Sequence, residues 1–153
     1  MFKNVFLCVL VAIVFCLSSC QNGSKSSLYD GSNAVPGSQQ DLDTSAGNFV
    51  LFKLSSAQLD DNATDTLKKQ VDWLKRYRDI NIIIEGHCDE RGTREFNLAL
   101  GARRANIVRD YFVNSGIDSS RITTISYGKE RPPVIGSGLE VWRQNRRSNV
   151  MIR

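Results

Sequence analysis

The chain has 153 residues, 24% of them charged and 41% hydrophobic, with a formal net charge of +4 at pH 7. Such a length is enough for a single core. The basic excess alone would admit nucleic acid as a partner, but the export signal described next argues against it, so no nucleic acid is expected.

Residues 1–19 read as a secretory signal. Lys3 supplies the positive start, and Val5–Leu17 is an almost unbroken apolar run, shorter than the roughly 20 residues a membrane-spanning helix needs. The run ends in Leu17-Ser18-Ser19-Cys20, which resembles a bacterial lipobox: an aliphatic residue, two small ones and the cysteine to be modified. That likeness implies S-diacylglycerol and N-acyl groups on Cys20 and cleavage before it. The acyl chains would hold the protein to membrane lipid at about 0.8 kcal/mol per buried CH2. Gln21, where an aspartate is absent, implies sorting to the outer membrane. Cys8 and Cys16 leave with the signal and Cys20 becomes a thioether. Cys88 is then the remaining thiol, and no intramolecular disulfide is expected. Residues 20–47 comprise the lipidated cysteine and a flexible linker of Ser, Gly, Asn, Asp and Gln, too poor in large apolar residues to offset the entropy of ordering. As a coil its ends would lie roughly 30 Å apart.

Residues 48–153 are the expected globular domain, with 18 basic and 13 acidic side chains. Phe49–Leu54 is the first strand. A helix over Asp61–Arg78 follows, with Ala63, Leu67, Val71, Leu74 and Tyr77 on one face. Acids in its first turn and Lys75, Arg76 and Arg78 near its end complement the helix dipole. The strand Asn81–Glu85 contains Ile82, Ile83 and Ile84, a β-branched run that suits burial on both faces. Next comes a helix over Glu95–Ser115, stopped by Gly116. Arg121–Tyr127 is a third strand, Gly128–Gly138 a Gly/Pro loop, Leu139–Gln144 a short helix and Ser148–Ile152 the closing strand. Strands alternating with helices predict an α/β fold, an α+β sandwich with helices on one side of a sheet. Periodicity leaves parallel and antiparallel pairing open.

The segment Ile82–Asn106 is the most informative. A strand leads into an acidic turn bounded by Gly86 and Gly92, and a helix then brings arginines back toward that turn. Such a geometry suits a small zwitterion, with an aspartate for its ammonium and an arginine for its carboxylate. The stretch EGHCDERGTREFNLALGARRAN, with ISYGKERP at Ile125–Pro132 and NRR at Asn145–Arg147, resembles the OmpA-like peptidoglycan-binding domain family over roughly Phe49–Arg153. The resemblance implies a four-stranded mixed sheet in βαβαβ(α)β order, and a binding protein without catalysis, cofactor or metal. It also implies the ligand, the diaminopimelate-containing stem peptide of peptidoglycan, whose distal end is a free amino acid. The family's paired aspartate and arginine fall on Asp89 and Arg104, with Thr93 and Leu100 as lesser contacts and Asn97 ordering the turn. Arg103 lies about 100° around the helix from Arg104.

One departure stands out. Family members commonly read FDFDSSEL where this chain has Phe52-Lys53-Leu54-Ser55-Ser56-Ala57-Gln58-Leu59, so Lys53 and Ser55 replace two acids. An enzyme built on His87 and Cys88 is the rival from another class, disfavoured because neighbours in an extended segment point to opposite sides. For partners, the resemblance implies TolB and other components of the Tol–Pal envelope system, serving outer-membrane integrity and invagination during division. A wall-binding lipoprotein outside that system is the alternative.

Overall fold

The computed structural model describes residues 34–153. The expected signal, Cys20 and the first part of the linker lie outside the described residues. Four strands, β1 (Phe49–Leu51), β2 (Ile82–His87), β3 (Ile122–Gly128) and β4 (Arg147–Ile152), form one sheet in the order β1-β4-β2-β3. β2 and β3 are parallel, and β4 runs antiparallel to both its neighbours. The sheet is therefore mixed, and helices pack on one of its faces. Ile82 and Ile84 are fully buried there, while Ile83 and Glu85 on the opposite side of β2 are half-buried. Burial on both faces, expected from the isoleucine run, holds for one face, because among the described residues no helix covers the other.

The described residues form four helices, α1 (Gln39–Ser45), α2 (Asp61–Arg76), α3 (Arg94–Asn114) and α4 (Leu139–Asn145), of which the first three supply core side chains to this face. Asp60 caps α2 by accepting from the Ala63 N–H at 2.9 Å, satisfying one of the donors a helix start leaves open. At the end of α3, Gly116 takes φ +91° while Ile117 N–H bonds to Phe112 O at 3.0 Å and Gly116 N–H to Val113 O at 2.9 Å. This paired closure with an apolar residue behind it, buried Ile117, is a Schellman ending. Leu67, Leu74, Val108, Phe112, Ile82, Ile84 and Val150 make up much of the core.

Helix α1 corrects the expectation that the linker runs unstructured to residue 47. One apolar side chain, Leu42, is fully buried in the core, and polar contacts do the rest. Trp73 Nε1–H donates to Asp41 Oδ2 at 3.0 Å, and Gln39 grips the far end of β4, donating to Val150 O and accepting from the Ile152 N–H. Composition hid the helix because side-chain amides and carboxylates, not apolar area, hold most of it.

Gly86 and Gly101 bring β2 and α3 together. A Cβ on Gly86 would run into the Gly101 carbonyl, and one on Gly101 would approach Ser126 Oγ and Gly86 O. Gly86 is thus required for space and not for an unusual φ, whereas Gly92, at φ +90°, does need glycine's freedom. The close contact seats α3 on β2 and fixes where the next turn of α3 meets the end of the strand.

Candidate functional site

The end of β2, the turn after it and the first half of α3 enclose a pocket of about 130 Å³. Asp89, Arg91 and Arg146 supply its charged wall, Leu100 and Phe96 its apolar side, and Arg104 its base. Thr93, expected to line it, instead caps α3 by accepting from the Phe96 N–H at 3.2 Å, and is not among the lining residues. Asn97 orders the turn as anticipated, its Nδ2 donating to Arg91 O at 2.8 Å and Thr93 O at 3.1 Å. Arg103 is exposed and Arg104 fully buried, which separates the adjacent arginines onto different helix faces.

Asp89 is 4% exposed. Its Oδ2 accepts from Arg91 Nη2 at 2.7 Å and Arg146 Nη1 at 3.2 Å, and its Oδ1 from Arg91 Nε and the Arg91 backbone N–H. Burial pushes the carboxyl up, but the hydrogen bonds from Arg91 and Arg146 outweigh it and hold Asp89 below the usual carboxylate value.

Arg104 is engaged differently. Its guanidinium donates to Ser56 O at 2.9 Å, His87 O at 2.7 Å and Lys53 O at 3.1 Å, and approaches Cys88 Sγ at 3.5 Å. No carboxylate lies within salt-bridge distance of it among the described residues. Burial pulls its pKa down. The fully buried cation thus ties the loop at residues 53–56 to the end of β2, with the ring of Phe52 packed 5.1 Å from the guanidinium carbon. Lys53 and Ser55, at the two departures from the family, are exposed, and Ser55 with Leu54 edges the pocket.

His87 and Cys88 point apart. His87 Nδ1 lies 3.0 Å from Arg131 O, and the Cys88 thiol donates to Asn97 O at 3.3 Å. Burial lowers the His87 pKa and raises that of Cys88, so the ring is held neutral and the thiol protonated. A base and a nucleophile facing away from each other do not form a thiolate centre. Among the described residues, no group of three His, Cys, Asp or Glu side chains is placed to hold a metal ion.

Sequence reasoning missed Arg146, Arg91 and Trp142. Arg146 belongs to the NRR block, whose place before the last strand gave no hint that its first arginine reaches back to Asp89. Trp142 lies under the Arg91 guanidinium, 4.3 Å from ring centroid to Cζ, and no spacing rule links a residue in α4 to that turn.

A mixed four-stranded sheet carrying a Gly-bounded acidic turn and a returning arginine helix defines the OmpA class. Residues 51–146 match the OmpA family, and the chain belongs to it. It is 44% identical over 146 residues to the peptidoglycan-associated lipoprotein of Mesorhizobium japonicum, covering 94% of this chain and 87% of that one. Its counterpart in Brucella melitensis is 49% identical over 115 residues, 75% of this chain and 68% of the other. The crystal structure of the peptidoglycan-associated lipoprotein from Burkholderia pseudomallei superposes with a TM-score of 0.66 at 35% identity, covering 69% and 90% of the two chains. The C-terminal domain of Helicobacter pylori MotB, at 18% identity and a TM-score of 0.64 over 69% and 84% of the chains, shares the fold alone.

Proposed function

We propose that this protein is a non-enzymatic tether: a lipoprotein, anchored in the outer membrane through Cys20, whose domain grips peptidoglycan noncovalently. The observation that carries the reading is Arg104, a fully buried guanidinium without a carboxylate partner among the described residues, in the same pocket as Asp89. Asp89 accepts the ammonium of a diaminopimelate end group. Arg104, with Arg146 nearer the mouth, faces its carboxylate, and Leu100 lies along the methylene stem. Thr93 serves by holding the start of α3 in place. The relatives' name supports wall association, and the family resemblance supports TolB and other Tol–Pal components as partners in outer-membrane integrity and division.

The test is cosedimentation of the full chain with intact diaminopimelate-containing sacculi. Asp89→Asn removes one charge at nearly constant shape and leaves the ligand's ammonium shielded and unpaired. The expected loss is roughly 2–4 kcal/mol, about thirtyfold to several-hundredfold in affinity. Arg103→Ala, on the exposed face of α3, serves as the control and binds as wild type. Folded Asp89→Asn binding sacculi as tightly as wild type would sink the clamp. Retained fatty-acid labelling of Cys20→Ser would sink the anchor.

A further inference from the structure

In the structure Asp89 already pairs with two cations, Arg91 and Arg146, and has no room for a third. A carboxylate offers about four lone-pair sites, and all four are taken: two by the Arg91 side chain, one by the Arg91 backbone N–H and one by Arg146. A ligand's ammonium must therefore replace one of these donors. The backbone N–H is fixed by the turn. Arg146 has a side chain only 14% exposed and also donates Nε to Phe52 O at 3.1 Å, which holds it from behind. Arg91 is the loosest, with a side chain 38% exposed and the face of Trp142 as its other support. That ring is itself fixed, since Trp142 Nε1–H donates to Glu90 Oε1 at 2.8 Å.

We propose that Arg91 is an internal competitor for the ligand's ammonium, occupying Asp89 in the free protein and yielding it on binding, and that it thereby sets the site's selectivity. The inference rests on the wall-binding reading. A zwitterionic end group gains Asp89 only by displacing Arg91 from it. An end group whose amine is blocked has nothing to offer Asp89. It binds with Arg91 still in place and benefits from that third guanidinium beside its carboxylate. Arg91 therefore weakens binding of the free amine and favours the blocked one, narrowing the difference between them. The Trp142 ring, 4.3 Å from the Arg91 guanidinium, steadies it on Asp89 in the free protein and so adds to the competition.

The experiment is calorimetric titration of the full chain in detergent with two stem tripeptides ending in diaminopimelate, one with its distal amine free and one acetylated there. Arg91→Gln is expected to bind the free-amine peptide about two- to fivefold more tightly, the scale of releasing a partly exposed ion pair. It binds the acetylated peptide no more tightly than wild type does. Arg91→Lys, which keeps the charge without the two-bond fork, falls between. Trp142→Ala changes no charge in the pocket and raises the ratio of the two affinities in the same direction, which keeps the proposal testable if Arg91→Gln folds poorly. Weaker free-amine binding by Arg91→Gln, or an equal change for both peptides, overturns the competitor role alone. Wild-type protein that binds neither peptide overturns it together with the wall-binding reading.

Discussion

Arg104→Ala should destabilise the domain before any ligand is considered. The guanidinium holds three backbone carbonyls, those of Lys53, Ser56 and His87, and removing it leaves them without that donor inside a site where little water enters. Hydrogen bonds to a charged group contribute about 1.5–3 kcal/mol each. Against them stands the cost of keeping a cation fully buried, several kcal/mol for a group with no carboxylate partner. The net loss is then about 3–5 kcal/mol, a large share of the roughly 5–15 kcal/mol a domain possesses. With a urea slope of about 2 kcal/mol per molar, the unfolding midpoint should fall by about 2 M. Arg104→Lys keeps the charge but cannot reach three diverging carbonyls, so it should recover only part of that. Urea denaturation followed by circular dichroism gives the answer, with exposed Arg103→Ala staying within about 0.5 kcal/mol. A midpoint shift below about 0.5 M for Arg104→Ala would refute the reasoning, since at that slope it amounts to about 1 kcal/mol. The loop at residues 53–56 would then have to be held by something other than this side chain.

Gly86→Ala should cost more than about 3 kcal/mol, because its methyl group meets the Gly101 carbonyl and both backbones belong to regular elements that cannot yield locally; a thermal melt within a few degrees of wild type would contradict the close seating of α3. Stability should also depend on Asp89 at low pH. Its folded pKa lies below the ordinary value, so its contribution is fully present above about pH 4, the unfolded value, and is lost as pH falls through the folded one. Asp89→Asn should flatten that part of the acid limb in denaturation measured from neutral pH downward, and an unchanged limb would show that the pairing adds nothing to folding.

Much of the fold was written locally. The isoleucine run of β2, the capped start of α2 and Gly116 after α3 each carry their signal within a few residues, and each element formed within one to three residues of its expected ends. Between His87 and Arg104, where one turn and one helix contain the site, spacing brought Asp89, Leu100 and Arg104 to one pocket but gave no role to Arg91 and put Thr93 at the wall instead of the cap. What spacing could not show are contacts made by sheet order. Arg146 reaches Asp89 because β4 is inserted beside β2, and Arg104 reaches the carbonyls of residues 53 and 56 because β1 lies on the other side of β4. Helix α1 was missed for a different reason. Leu42 is a single apolar residue among polar ones, and neither a composition count nor a helical stripe registers one anchor.

The grip of Gln39 on β4 has a mechanical consequence. If Cys20 is held in a membrane and the pocket holds the wall, tension between the two layers enters the domain at α1 and leaves it near Arg146. Gln39 bonds to Val150 and Ile152, at one end of β4, while Arg146 adjoins the other end, about 20 Å away along the strand. Force would run lengthwise down β4, which is hydrogen-bonded on both sides, to β1 and β2. Lengthwise shear strains those ladders all at once, whereas a pull at right angles would open them one rung at a time. On that condition the strand between anchor and ligand would be an interior one, and the two layers would be coupled through the stiffest direction the sheet has.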